Sequence, residues 1–141
     1  MNYSAVETHI VNWLKSYLND SGLKGFIIGI SGGIDSAVTS TLCAKTGAKI
    51  ICLNMPLRQH KADYLRAHNH IVSLKERFTN VESFEIELTD TFTSFENCLP
   101  SGVVADNLAM ANSRSRLRMM TLYAVGQANS LLVAGTGNKV E

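Results

Sequence analysis

The chain has 141 residues, 45% of them hydrophobic and 18% charged, a balance that suits one globular domain and argues against a disordered or fibrous polypeptide. A formal net charge of +1 and the lack of any run of Lys or Arg give no electrostatic footprint for nucleic acid. No apolar stretch reaches the length of a membrane span, so neither a nucleic acid nor a membrane is expected as partner.

The first predicted element is a helix over about residues 3–18, with Val6, Ile10, Trp13, Leu14 and Tyr17 on one stripe and a stop at Asn19-Asp20-Ser21-Gly22. It reads as an amphipathic helix covering a core. Residues 26–30 are short, apolar and β-branched, as expected of a strand buried on both faces. Ile34, Ala37, Val38, Thr41 and Leu42 then recur at helical spacing, so a helix starts near Gly33 or Ile34 and ends near Thr46, with Gly47 as a left-handed cap.

A second buried strand spans about residues 49–55 and is closed by Pro56. A crossover helix over about residues 59–77 should turn Leu65, His68, Ile71, Val72 and Leu74 inward. Residues 84–88 alternate and read as a strand with one face more exposed, and residues 89–102 as a loop with a short helix. A long helix over about residues 103–129 precedes a fourth strand at residues 131–135.

Strands alternating with helices in this way imply crossover connections and a parallel sheet. The expected fold is α/β, a doubly wound, Rossmann-like parallel sheet in the order 3-2-1-4 with helices on both faces. In that order the turns after strands one and four sit side by side at the switch point, where ligands bind.

Cys43, Cys52 and Cys98 are odd in number, far apart and set in apolar contexts, which points to reduced thiols. With no signal-peptide pattern at the N-terminus, the expected location is the cytoplasm. Among His9, His60, His68 and His70, only the last two are close, and a separation of two puts them on nearly opposite sides of a helix. They read as solvated surface, not as a metal cluster.

Chemistry concentrates in Gly29-Ile30-Ser31-Gly32-Gly33-Ile34-Asp35-Ser36, between the first strand and its helix. A helix N-terminus offers unpaired N–H groups and a partial positive charge, and glycines let an anion approach the backbone. Asp35 would repel a phosphate unless a cation lay between them, which suggests Mg²⁺ on hard oxygen ligands. Neither G-x-x-x-x-G-K-[ST] nor G-x-G-x-x-G is present. A plain tight turn, with Ser31 as cap and Asp35 near the dipole, is the alternative.

Further on, three arginines are interleaved with residues that a core would take up in Asn112-Ser113-Arg114-Ser115-Arg116-Leu117-Arg118-Met119-Met120-Thr121-Leu122-Tyr123. Arg114 and Arg118 share a face, whereas Arg116 lies over Met119, Met120 and Tyr123 in one direction. Arg116 therefore needs either an external anion or a carboxylate or carbonyl of the protein or of a second copy.

The string SGGIDS resembles the pyrophosphatase loop of the N-type ATP pyrophosphatases, a class that includes NAD synthetase, GMP synthetase, argininosuccinate synthetase and tRNA-modifying enzymes. Asn112, Arg116, Arg118, Met119 and Tyr123 resemble the arginine-bearing helix of NAD synthetase. Gly135-Thr136-Gly137-Asn138-Lys139-Val140-Glu141 is similar to that family's segment after the fourth strand, which begins with Gly-Thr and ends with Glu. The resemblance spans essentially the whole chain, residues 1–141, as one ATP pyrophosphatase-type domain of adenine nucleotide alpha-hydrolase-like fold.

The resemblance implies a ligase that amidates deamido-NAD with ammonia, using ATP and Mg²⁺ and giving NAD, AMP and pyrophosphate through an adenylated intermediate. By the same match Gly29, Ile30, Ser31, Gly32, Gly33, Ile34, Asp35, Ser36 and Thr136 would bind ATP, Arg116 would bind deamido-NAD, and Asp35 and Glu141 would ligate the metal. No side chain serves as a covalent nucleophile, and a homodimer is implied. Family members continue past this glutamate with a glycine-rich Thr-Lys-Tyr-Gly-Asp segment and further lysines that this chain lacks, so it is expected to correspond to the N-terminal part of the family's enzyme, either as a fragment of a longer chain or as a shortened natural product. The alternatives are a GMP synthetase-like enzyme and a non-catalytic ATP-binding module.

Overall fold

In the computed structural model, which describes residues 1–137, the chain alternates helix and strand from the start. The elements are α1 (Tyr3–Ser21), β1 (Gly25–Gly29), α2 (Ile34–Lys45), β2 (Lys49–Asn54), α3 (Lys61–Arg77), β3 (Val81–Glu85), α4 (Thr89–Asn97), α5 (Asn107–Ala128) and β4 (Leu131–Val133). A 3₁₀ turn, Val103–Ala105, precedes α5. The strands form one sheet in the order β3-β2-β1-β4, every pair parallel, as the sequence predicts.

β1 lies at the centre of this arrangement because its side chains are apolar on both faces. Phe26 and Ile28 join Ile50, Cys52, Cys43, Ala67, Ile71 and Leu74 in a core beneath α2 and α3, with Leu18 of α1 at its margin. Ile27 turns the other way, to Ile51, Leu53, Leu131, Phe92 and Met110 beneath α4 and α5. The period of two along each strand thus divides the interior into two cores.

Local signals act where they are written. Asn2 caps α1 by accepting from the Ala5 amide at 3.1 Å, and Asp106 caps α5 by accepting from the Ala109 amide at 2.9 Å. Gly22 and Gly47 end their helices at φ of 70° and 79°, where a side chain would be strained. The Asp106 cap also explains why α5 begins at Asn107 and not near residue 103.

Three expectations need correction. β3 is Val81–Glu85, not residues 84–88, since its ladder pairs Ile50 with Val81 and Asn54 with Glu85. Ile86 and Leu88, which produced the alternation, instead pack into the core of α4 and α5 beyond the strand's end. On α1 the buried residues are Val11 and Leu18, while Val6, Trp13 and Tyr17 remain exposed. On α3 they are Ala67, Ile71 and Leu74; Leu65, His68 and Val72 face solvent, and His70 turns inward.

Cys43 and Cys52 are buried and Cys98 is exposed. Burial pushes both interior thiols up to about 12, with Cys52 adding to the shift at Cys43, so they stay protonated. A water-soluble disulfide reagent should therefore label Cys98 rapidly in the native protein and reach the other two only in denaturant. Fast release of more than one equivalent would contradict the packing described.

α5 packs close against the sheet at Gly126, where a Cβ would lie 2.9 Å from Cγ2 of Ile27 and 3.4 Å from the Leu131 carbonyl oxygen. Gly126→Val should lower stability by about 1–3 kcal/mol, measured by denaturant unfolding. An unchanged midpoint would show that α5 is free to shift outward.

Candidate functional site

β1 ends at Gly29, and the loop over residues 30–33 carries the chain to the first turn of α2 with Gly33 as N-cap. Gly32 sits at φ 88°. A Cβ there would also come within 2.5 Å of the Asp63 carbonyl oxygen at the start of α3, so both conformation and space require glycine.

The loop is held by its own hydroxyls. Ser36, buried in the first turn of α2, accepts from the Ser31 amide at 3.2 Å and donates to the Gly33 carbonyl at 3.1 Å. Ser31 Oγ accepts from the Gly33 amide at 3.2 Å and lies 3.2 Å from Ser36 Oγ. Ser31 thus makes a local turn contact with the N-cap residue and not the helix cap that the plain-turn alternative foresees, since α2 has no side-chain cap bond. That contact leaves the amides of Gly32 and Ile34 without a protein acceptor among the described residues. They are donors at a helix N-terminus, the arrangement that receives an anion.

The loop's carbonyls are held from the opposite side. Gln59 Nε2 donates to the Ser31 carbonyl at 3.2 Å, and Arg66 Nε donates to that of Gly32 at 3.3 Å while its guanidinium pairs with Asp63. Asp35 is half-buried in the first turn of α2, where its carboxylate is favoured by the dipole.

Beside the loop opens a cleft of about 550 Å³. One wall is the end of β1 with Gly29, Ile30 and Ser31; Met55 and Gln59 follow β2; Ser115, Arg118, Met119, Leu122 and Tyr123 come from α5; and Val133 to Thr136 leave β4. This is the switch point, where β1 has β2 on one side and β4 on the other and the strand order reverses. The volume lies in the range of small-molecule sites.

The structure brings Gly29, Ile30, Ser31 and Thr136 to the cleft wall and places Gly32, Gly33, Ile34, Asp35 and Ser36 in the adjoining turn. It does not bring Arg116 there, since that side chain is exposed on α5 and outside the cleft lining. Arg118 occupies the wall instead. Its Nε donates to the Met55 carbonyl at 3.1 Å, and its pKa is lowered by burial and then by the nearby charge of Arg114. Glu141, expected as a metal ligand, lies outside the described residues. Among those residues no three His, Cys, Asp or Glu side chains converge on a metal site.

Sequence reasoning overlooked Arg118, Gln59, Met55 and Leu122 as site residues. A signal for Arg118 did exist: Ser115 and Leu122, three before it and four after it, share its helical face, and Leu122 belongs to the apolar set that faces the sheet.

The chain resembles known proteins along its whole length. The family described as NAD synthase matches residues 6–141. The NH(3)-dependent NAD(+) synthetase of Mycoplasma genitalium is 39% identical over 132 residues, covering 92% of this chain and 51% of that protein. The enzyme of the same description from Mesoplasma florum is 36% identical over 132 residues, with 92% and 52% covered. The structure of NMN synthetase from Francisella tularensis superposes with a TM-score of 0.83 at 31% identity, over 98% of this chain and 56% of that one. For the NH3-dependent NAD synthetase of Campylobacter jejuni, solved with a nitrate ion, the values are 0.86, 27%, 99% and 58%. The chain spans about half the length of the curated relatives it matches. A switch-point cleft beside an open helix N-terminus, in a sequence that matches from residue 6 onward, establishes that this chain belongs to the NAD synthase family.

Proposed function

We propose that this chain carries the ATP-binding half of an ammonia-dependent NAD synthetase, which amidates deamido-NAD at the expense of ATP. The observation that carries the reading is the pairing of an amide-lined turn at the start of α2 with a cleft shared by β1, β4 and α5. The amides of Gly32 and Ile34, without a protein acceptor among the described residues, and the positive end of α2 suit the phosphates of ATP. Thr136, which lines the cleft beyond the end of β4, would contact the same nucleotide. Arg118 brings a guanidinium to the α5 wall, where charge would develop on a phosphate or a substrate carboxylate.

In the reaction so read, the nicotinate carboxylate oxygen attacks the α-phosphorus of ATP and the bond to the pyrophosphate oxygen breaks. Ammonia then attacks the acyl carbon, AMP leaves with the bridging electron pair, and the amide nitrogen loses its extra proton to solvent. The protein's part is to hold the phosphates and exclude water, not to supply a nucleophile. Met55, Leu122 and Val133 give the cleft an apolar side that protects an acyl adenylate from hydrolysis.

Asp35 fits a magnesium site, because Mg²⁺ needs only one or two carboxylates when phosphate oxygens and water complete its shell. Asp35 would hold the ion from the first turn of α2, with Glu141 as the second carboxylate. Bound there, the ion would neutralise phosphate charge. Arg116, exposed on α5, would reach deamido-NAD from outside the cleft, and the apolar surface of Leu108, Met119, Met120 and Tyr123 on the same helix supports a homodimer. No described helix is long and apolar enough to cross a membrane. Free thiols and soluble substrates support the cytoplasm as the site of action. We read residues 1–141 as one domain of the ATP pyrophosphatase type.

A second reading keeps the chemistry and changes the acceptor. The 31% identity and TM-score of 0.83 to an NMN synthetase favour the mononucleotide, nicotinate attached to a single nucleotide, as the alternative substrate.

The deciding assay supplies this chain with ATP, Mg²⁺, ammonium and either deamido-NAD or nicotinate mononucleotide, and follows AMP and the amide product together. Equimolar NAD and AMP from the dinucleotide is the expected result. Product from the mononucleotide alone would move the assignment to the second reading, and ATP binding without AMP release would leave only a nucleotide-binding module.

Asp35→Ala should lower magnesium-dependent turnover by at least about 100-fold with an unchanged circular dichroism spectrum. Loss of the folded state would make Asp35 structural instead. Gly32→Ala should weaken ATP binding more than it lowers the melting temperature, since it strains the turn that presents the amides. Wild-type ATP affinity in that variant would remove the turn from the site.

A further inference from the structure

Helix α3 holds the outer side of the phosphate turn at more than one depth. Near the surface, Arg66 of α3 and Gln59 just before the helix donate to the carbonyls of Gly32 and Ser31. Those contacts are long and open to water, which makes them weak ties. Deeper in the interface, Ser40 is fully buried in α2, and its Oγ lies 2.8 Å from Nε2 of the half-buried His70 on α3.

The direction of that bond follows from proton counting. Ser40 Oγ also lies 2.7 Å from the Ser36 carbonyl oxygen and 3.1 Å from that of Ala37. A hydroxyl has a single proton, and a serine within a helix gives it to the carbonyl four residues earlier. The 2.7 Å contact to Ser36 therefore takes the Ser40 proton, and Nε2 of His70 donates to Ser40 Oγ. Ser36 is itself the residue whose hydroxyl clasps the Ser31 amide and the Gly33 carbonyl. His70 is thus tied through Ser40 to the backbone of Ser36, the residue whose hydroxyl holds the turn.

We propose that His70, acting through Ser40, is a positioning residue for the phosphate turn: the imidazole fixes how α2 is rotated against α3, and so where the amides of Gly32 and Ile34 point. The role rests on the nucleotide reading given above. Ala67, Ile71, Leu74 and Cys43 supply the apolar packing around this contact. A neutral hydrogen bond adds little net stability, because the unfolded chain makes the same bonds to water. What it adds is direction, and chained hydrogen bonds reinforce one another where water is excluded.

The test uses His70→Leu, His70→Gln, Ser40→Ala and the double variant His70→Leu with Ser40→Ala. ATP affinity with Mg²⁺, melting temperature and hydrogen exchange of residues 31–36 are measured on each. His70→Leu and Ser40→Ala should each weaken ATP binding about 10-fold, and the double variant no further. His70→Gln, whose side-chain amide reaches the same acceptor, should stay near wild type although it packs less well. Exchange in the turn should quicken in the leucine variant and not in the glutamine one.

Unaltered ATP affinity in His70→Leu would overturn the proposal. So would a glutamine variant as impaired as the leucine one, or failure of both Ser40→Ala and His70→Leu to fold, since each would show a packing role. Absence of ATP binding by the wild type would refute the nucleotide reading alone. The exchange rates would then decide the positioning role, with unchanged rates in His70→Leu counting against it.

Discussion

The parallel pairing of β1 with β2 on one side and β4 on the other is the constraint from which the rest of this structure follows. From β1 the chain crosses beneath α2 to β2, whereas β4 is reached only after α4 and α5 on the opposite face. Where the strand order reverses in this way, between β1 and β4, a gap opens at the carboxyl ends of the two strands. Gly29, Ser31, Val133 and Thr136 line that gap because the ladder places them there. Since β1 contributes to both cores, a disturbance on either face would reach the gap.

The turn above β1 has to satisfy itself and remain receptive. Hydroxyls of Ser31 and Ser36 use the Ser31 and Gly33 amides and the Gly33 carbonyl, and side chains from the α3 side take the carbonyls of Ser31 and Gly32. With these acceptors occupied, the amides of Gly32 and Ile34 are left as donors without a protein acceptor among the described residues. A carboxylate in the same turn is compatible with the dipole and with a cation shared with phosphate.

Apolar surface left on α1 and α5 reflects the same geometry. Each helix lies on one face of a sheet only four strands wide and buries a single stripe there. Val6, Trp13 and Tyr17 on α1, and Met119, Met120 and Tyr123 on α5, remain exposed, with the Trp13 and Tyr17 rings 5.3 Å apart. Contiguous exposed apolar surface of this kind is what contact sites are made of.

The order of elements, the parallel sheet, the 3-2-1-4 arrangement and the glycine turn were all legible from sequence, because strands buried on both faces and helix caps are written in consecutive residues. Which apolar stripe of α1 or α3 goes inward was not. Both helices carry apolar residues over more than one face, and the choice falls to the neighbour across the interface, as His70 turning to Ser40 illustrates. β3 slipped from its expected place because an edge strand with a single buried residue, Val81, is positioned by its ladder to β2 and not by its own pattern. Arg116 and Arg118 differ by two positions on one helix, roughly 200° of rotation, and only the docking of α5 by Gly126 and Leu122 against the sheet decided that Arg118 enters the cleft. The sequence by itself determined the elements and the chemistry of the turn, since these depend on neighbours along the chain. Tertiary structure decided which side chains meet across the cleft, since that depends on contacts between residues far apart in sequence.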